Sequence, residues 1–195
     1  MGLAEVQRVL ALISIDRALR ERFFADPATI GAELGLATGE AAGMARIPRR
    51  QIEQFADSLR RKRRDQVRRV VPITARALGR KFAGLFDRYL DSSPPRGSKA
   101  DLADAAGLVA AMGRWADQID PPWAVDLARY ELAWREAARA GRFPIMRIFR
   151  FPVARIATRC EPDSAAPRLT LACWWRPVGR GSVRHIVMTM PKTPH

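Results

Sequence analysis

The sequence has few of the side chains that usually carry catalysis or bind metals. Among 195 residues there are two cysteines and two histidines. Cys160 and Cys173 are too far apart for the Cys-x-x-Cys spacing of redox and zinc sites. A histidine cage or a histidine-based triad needs more than two histidines. We therefore expect no catalytic, cofactor-binding or metal-binding residues in this chain. A pairing of Cys173 with His185 across facing strands stays open as an alternative.

Long apolar runs are also lacking. No stretch approaches the roughly 18–20 uncharged residues of a membrane-spanning helix. Near the N-terminus, charged residues such as Glu5 and Arg8 interrupt the apolar run that a secretory signal would need. We therefore expect a cytoplasmic protein with no membrane-spanning part.

Acidic residues are scarce relative to basic ones. The net charge is +14, and arginine supplies 30 of the 34 basic residues. The excess lies in two segments, with +6 over residues 49–69 and +8 over residues 142–195. Such a balance favours an anionic partner such as a nucleic acid or an acidic peptide. An arginine-rich composition of the whole chain explains the charge equally well.

The first 140 residues have the apolar spacing of helices. Asp16, the pair Asp26-Pro27 and Thr38 are expected to cap three short helices, and Gly35 to end one of them. A long helix is expected from about Arg49 to the break at Pro72. The apolar stripe of this long helix contains Ile52, Phe55, Leu59, Gln66/Val67 and Val70. Three later helices are expected, with these stripes: Leu78, Phe82, Leu85, Phe86 and Tyr89; Leu102, Ala105, Val109, Met112 and Ile119; Trp123, Leu127, Tyr130, Trp134 and Ala137.

The composition of the sequence changes after Gly141. Residues 145–151, 169–176 and 183–190 are short, rich in β-branched or aromatic side chains, and separated by proline and glycine. Residues 178–182 have the composition of a hairpin turn. The sequence therefore predicts an α+β fold, with a mainly helical body over residues 1–141 and a small antiparallel sheet at the C-terminus. We expect residues 142–195 to form a β-rich domain that binds a peptide or a partner.

Two surfaces are candidates for binding. If residues 183–190 form an edge strand, the free backbone groups of that strand can accept an extended peptide. The residues expected to contact such a peptide are Trp174, Trp175, Arg176, Val183, Arg184, His185, Ile186, Val187 and Met188. The alternative is an anion-binding helix face formed by Arg60, Arg64 and Arg68, which would contact nucleic-acid phosphates.

Two stretches resemble the HvfC/BufC-type domain and its actinobacterial relatives. The first runs from residues 59–64 through Val71-Pro72-Ile73-Thr74 and residues 78–82 to Ser93-Pro94-Pro95. The second, residues 123–134, is similar to the family's Asp-Leu-Ala-Arg-Leu-Glu-Trp-Ala signature. Tyr130 replaces the second leucine there, and Leu132-Ala133-Trp134 replaces the Trp-Ala end. The resemblance is clearest over residues 50–140.

This resemblance implies a non-catalytic role in making modified peptides. Members of the family are partner proteins of multinuclear non-heme iron-dependent oxidases, which modify ribosomally made peptides. The iron would belong to the TIM-barrel partner, and this chain would dock on that enzyme and hold the precursor peptide. Some relatives are described as DNA-binding, which keeps a nucleic-acid-binding regulator as the alternative.

Overall fold

The computed structural model describes residues 2–92, 101–139, 144–159, 166–177 and 182–191. These residues form ten α-helices, one short 3-10 helix and a three-stranded antiparallel sheet near the C-terminus. The predicted α+β class is therefore confirmed. None of the helices in the described ranges is long and apolar enough to cross a bilayer.

The chain divides into two compact units. The first contains the described parts of residues 1–65 and 90–97, and the second those of 66–89 and 98–195. The three strands therefore belong to the same unit as several helices. The predicted division into a helical domain over residues 1–141 and a β-rich binding domain over residues 142–195 stays a prediction.

Short helices build the first unit. They are α1 (Leu3–Ile15), α2 (Arg17–Ala25), α3 (Pro27–Glu33), α4 (Thr38–Ala45) and the first part of α5 (Arg49–Val70). The Asp16 carboxylate accepts a hydrogen bond from the Leu19 N–H at 2.9 Å, and Asp26 accepts one from the Thr29 N–H at 3.1 Å. Both predicted caps are confirmed, because these carboxylates satisfy N–H groups that have no partner inside the helix.

Two details of this unit differ from the sequence-based expectation. Thr38 is the first helical residue rather than the cap, since Ala37 is the N-cap and the Glu40 carboxylate accepts the Ala37 N–H. Phe55 is 51% exposed although its spacing placed it on the apolar stripe, and the neighbouring Ala56 is buried instead. The core of the unit is formed by Val9, Ile13, Phe23, Ile30, Leu36, Ala41, Met44 and Ile52.

The second unit is built around a central helix, α9 (Ala124–Arg139). Its other helices are α6 (Pro72–Leu78), most of α7 (Lys81–Ser92), α8 (Asp101–Arg114) and α10 (Val153–Arg159), with the 3-10 turn Ala116–Gln118. One helix was expected to carry both Leu78 and Phe82. The chain instead ends α6 at Gly79, whose φ of +53° favours glycine, and then begins α7.

The sheet contains β1 (Ile145–Phe149), β2 (Thr170–Trp175) and β3 (Arg184–Thr189), in the order β1-β2-β3. All three predicted strands are confirmed. Helix α10, between β1 and β2, was not predicted. Gly141, Cys160 and residues 178–181 of the expected hairpin turn lie outside the described residues.

Candidate functional site

Strand β3 is at one edge of the sheet, which makes it accessible for backbone pairing. It pairs antiparallel with β2, with Trp174 opposite His185 and Cys173 opposite Ile186. Within the described ranges no further strand pairs with β3. Alternate residues of an edge strand direct their N–H and C=O groups away from the sheet, so β3 presents free hydrogen-bonding groups.

One face of the sheet packs on α9 around Trp174. This side chain is fully buried, and its ring centroid lies 5.4 Å from Tyr130 and 6.4 Å from Trp134. Phe149 of β1 completes the cluster, 6.0 Å from Tyr130. Trp174 therefore supports the sheet from within the core and does not offer a surface to a ligand, unlike the half-buried Trp175 on the opposite face.

His185 connects the edge strand to the same aromatic cluster. Its Nε2 lies 3.3 Å from the Tyr130 hydroxyl, and its ring centroid is 4.5 Å from that of Trp134. Because Cys173 is opposite Ile186, its side chain lies on the other face of the sheet from His185. The alternative of a thiol–imidazole pair is therefore wrong, and His185 positions β3 on α9.

The outer face of the sheet is apolar and exposed. Two rows of side chains cross the three strands, Met146–Cys173–Ile186 and Ile148–Leu171–Met188. The four residues on the two edge strands are each between 53% and 58% exposed. We call these six residues the outer face. Antiparallel sheets usually place polar side chains on a face open to water, so this face is an exception.

The sheet segment is strongly basic. Between residues 144 and 191 the described part of the chain has seven arginines and no aspartate or glutamate. Arg147 forms an ion pair with Glu136 of α9 at 3.1 Å, and Arg176 donates a hydrogen bond to the Ala138 carbonyl oxygen. Arg184, which is opposite Trp175, is exposed at the end of β3. The surroundings of the free edge therefore favour an acidic ligand.

Two carboxylates of α9 hold neighbouring segments in place. Asp126 Oδ2 accepts the backbone N–H groups of Arg150 at 2.6 Å and Phe151 at 3.2 Å, just after β1. Glu131 accepts the N–H groups of Ile73 and Thr74 at 2.8 and 2.7 Å, at the start of α6. Both residues belong to the signature stretch 123–134, and their contacts give them a structural role.

Burial governs the ionisation of Glu131. Desolvation raises the pKa of this carboxyl, and the hydrogen bonds from Thr74 and Ile73 offset part of the rise. The Thr74 hydroxyl is a third donor, at 2.6 Å. The carboxylate oxygens of Glu131 accept all three of these hydrogen bonds, which favours the unprotonated form. Burial has the opposite effect, because it disfavours the charged form.

The three arginines of the alternative anion-binding face have different surroundings. Arg60 pairs with Asp91 at 2.9 Å, and the guanidinium of Arg68 lies 5.9 Å from the centre of the Phe82 ring. Arg64 is half-buried, whereas Arg61 and Lys62 next to it are exposed. The exposed cations of α5 therefore include Arg61 and Lys62, which lie outside the face predicted from the four-residue spacing.

Two open cavities are alternative candidate sites. One, of about 440 Å³ in the second unit, is bordered by Arg69, Arg135 and Arg139. Arg135 already donates to the Arg69 carbonyl oxygen, and Arg139 lies 3.7 Å from Asp101. The other, of about 420 Å³ in the first unit, contains the Arg60–Asp91 pair. Internal acceptors therefore engage Arg135 and Arg139 in the first cavity and Arg60 in the second.

No cluster of three or more potential metal ligands among His, Cys, Asp and Glu occurs in the described ranges. The predicted absence of a resident cofactor stays a prediction.

Comparison with known proteins gives one partial similarity. A family model described as "SCO6045-like, C-terminal domain" matches residues 46–112. The matched region begins just before α5 and ends within α8, so it precedes α9 and the sheet. No curated protein and no solved structure matches the chain.

Proposed function

We propose that this chain is a non-catalytic subunit that binds an extended acidic peptide along β3. The free edge of this strand is the observation that carries the proposal. A peptide that adds to the edge gains backbone hydrogen bonds, and its alternate side chains extend the two faces of the sheet. Arg184 and the absence of aspartate and glutamate from the described part of residues 144–191 favour acidic side chains in that peptide.

The proposed ligand is a ribosomally made precursor peptide, and the proposed partner is a multinuclear non-heme iron oxidase with a TIM-barrel fold. This part depends on the resemblance of residues 50–140 to the HvfC/BufC-type domain. The iron and the oxidation belong to the partner, and this chain delivers the peptide in the cytoplasm. The contact of Asp126 with the turn after β1 and the packing of Trp174 on Tyr130 hold the sheet on α9, as a peptide-holding subunit requires.

The first experiment is a co-expression pull-down with any iron oxidase of this class and any short candidate precursor peptide that are encoded beside the gene for this chain. We expect a complex of all three chains, and peptide modification only when this chain is present. The pull-down is repeated at low and at high salt. The difference measures the electrostatic part of binding, because salt screens contacts with acidic side chains. No complex with either partner would contradict the proposal.

Strand addition is tested with two proline substitutions in β3, His185→Pro and Ile186→Pro. Consecutive strand residues alternate the direction of their N–H groups, so one variant removes a hydrogen bond to β2 and the other removes an outward donor. Hydrogen exchange of the free protein identifies which is which. We expect the outward variant to lose peptide binding. His185→Ala, which removes the ring contacts with Tyr130 and Trp134 but keeps the backbone N–H, is the control and is expected to retain peptide binding. Peptide binding that survives this substitution would contradict strand addition.

A nucleic-acid-binding regulator is the second candidate. The exposed Arg61 and Lys62 on α5 favour it, in addition to Arg60, Arg64 and Arg68. It predicts recovery of nucleic acid that declines with salt and with replacement of these arginines. Binding that is insensitive to the replacements would remove this candidate.

A further inference from the structure

The exposed apolar side chains of this protein are concentrated on one face of the sheet. Nine large apolar residues are at least 36% exposed in the described part of the chain, and six of them belong to this surface. Four are in the outer face, namely Met146, Ile148, Ile186 and Met188. Leu169 and Met190 continue the surface at the strand ends, where the Met190 N–H donates to the Leu169 carbonyl oxygen. A contiguous exposed apolar surface marks an interaction site.

The layering of the fold indicates what shape of ligand fits there. A sheet buries its apolar faces against other layers, and helix α9 already covers the inner face. The outer face has two rows of three side chains. Neighbouring strands are about 4.8 Å apart, so each row is about 10 Å wide, and the rows are about 7 Å apart along the strands. An amphipathic helix is about 10 Å across and repeats its apolar stripe every 5.4 Å, so it fits this surface.

Charge and composition identify the chemistry of that helix. The described sheet segment has arginines and no carboxylate, so two copies of this face would bring like charges together. An acidic partner gains ion pairs at the rim, with Arg184 beside the apolar rows. Two of the four exposed side chains of the outer face, Met146 and Met188, are methionines. Flexible methionine side chains are typical of surfaces that adapt to protein helices, which favours a protein ligand over a bilayer.

We propose that the outer face binds an acidic amphipathic helix of a partner protein. This contact is separate from strand addition, because it uses the face of the sheet rather than the edge of β3. A peptide paired with β3 leaves the centre of the outer face open, since Cys173 is on the middle strand. One chain can therefore hold an extended peptide and a partner helix at the same time.

The test uses the full chain and a labelled synthetic 18-residue helix with leucine on one stripe and glutamate on the other face. Fluorescence anisotropy measures its binding. Ile148→Glu and Met188→Glu each place a negative charge in the outer face, and we expect each to weaken binding at least tenfold. Phe55→Glu is the matched control, since Phe55 is also about half exposed but lies on α5. Circular dichroism checks that all variants fold.

A second measurement locates the helix on the surface. In a Cys160→Ser background Cys173 is the single cysteine, and its alkylation rate reports coverage of the outer face. We expect saturating acidic helix to slow alkylation at least fivefold. An extended acidic peptide without helical periodicity is expected to leave the rate within twofold. The two proposals can therefore fail separately, because loss of strand addition does not change protection by the helix.

Several outcomes would overturn this inference. Equal binding of a control helix with lysine in place of glutamate would remove the acidic requirement. Protection of Cys173 by phosphatidylglycerol vesicles but not by the acidic helix would assign the face to a membrane surface. A dimer in sedimentation that Ile148→Glu dissociates would assign it to a second copy of the chain.

Discussion

At the scale of single residues, Asp126 and Glu131 show how a carboxylate on one helix fixes backbone elsewhere. Each accepts two backbone N–H groups from a segment that precedes or follows α9 in the chain. Such N–H groups have no partner inside their own helix or turn, and leaving them buried without one is costly. Substitutions at these two positions therefore act through the fold.

For Glu131, the raised pKa leads to a prediction about pH. The unfolded chain has a glutamate pKa of about 4.3, and the native value is higher because of burial. The native state then binds the proton more tightly than the unfolded state. Its stabilising contribution is full below the unfolded pKa and is lost as the pH rises through the native pKa.

We expect the free energy of unfolding of the natural chain, relative to Glu131→Gln, to decline as the pH rises above the unfolded pKa of about 4.3. Urea unfolding at several pH values measures this difference. At neutral pH the variant is still expected to be about 1–3 kcal/mol less stable, because its amide NH₂ group faces a donor. A difference that grows as the pH rises would contradict the assignment.

For Asp126, the prediction concerns the turn after β1. Asp126→Ala leaves the Arg150 and Phe151 N–H groups without their acceptor. We expect a loss of about 1–3 kcal/mol in the free energy of unfolding, measured with urea. Asp117→Ala is the matched control, since Asp117 is exposed on the 3-10 turn and its replacement is expected to cost less than about 0.5 kcal/mol. Equal losses would show that the backbone contacts of Asp126 contribute nothing.

At the scale of elements, α8 contains two glycines with opposite expected effects. A Cβ added at Gly107 would lie 2.3 Å from the Tyr89 hydroxyl oxygen, whereas one added at Gly113 meets nothing within 4 Å. Gly107→Ala is therefore expected to destabilise the protein by about 1–3 kcal/mol through overpacking. Gly113→Ala is expected to stabilise it by about 0.5–1 kcal/mol, because alanine loses less backbone entropy in a helix. Thermal unfolding of the pair checks the signs, and a stabilising Gly107→Ala would contradict the close packing.

Local rules predicted many of the elements. The aspartate caps of α2 and α3, the break at Pro72 and the three strands all follow from a few neighbouring residues. Helix α10 escaped prediction because seven residues are too short for a helical period to stand out between two strands. The separation of α6 from α7 depends on the backbone at Gly79, and apolar spacing that continues across it gives no sign of the break.

At the scale of the whole molecule, the net charge of +14 predicts a response to salt. Repulsion among excess cations destabilises a compact state, and added ions screen it. We expect the melting temperature to rise by about 2–4 °C between 20 and 300 mM NaCl, which corresponds to about 1 kcal/mol. Sorbitol at the same osmolality is the control for a general solute effect. A fall in melting temperature with salt would show that attractive ion pairs outweigh the repulsion.

The candidate site could be predicted only in part. Alternation along β2 places Trp174 and Trp175 on opposite faces, but it does not say which face meets a helix. That assignment depends on contacts with Tyr130 and Trp134, which are about 40 residues away in the chain. The apolar outer face was likewise not foreseen, because exposure of residues such as Met188 depends on the absence of a covering layer.

The ring cluster beneath β3 gives the protein an internal optical reporter. His185 is on the edge strand, and its imidazole lies against Trp134 and is stacked on Trp174. The emission of an indole depends on the polarity of its surroundings, so the emission of these tryptophans depends on how closely β3 lies on α9. Any ligand that pulls the edge strand outward would admit water to Trp134 and Trp174 and shift their emission to longer wavelength, and one that presses the strand inward would leave the emission wavelength unchanged.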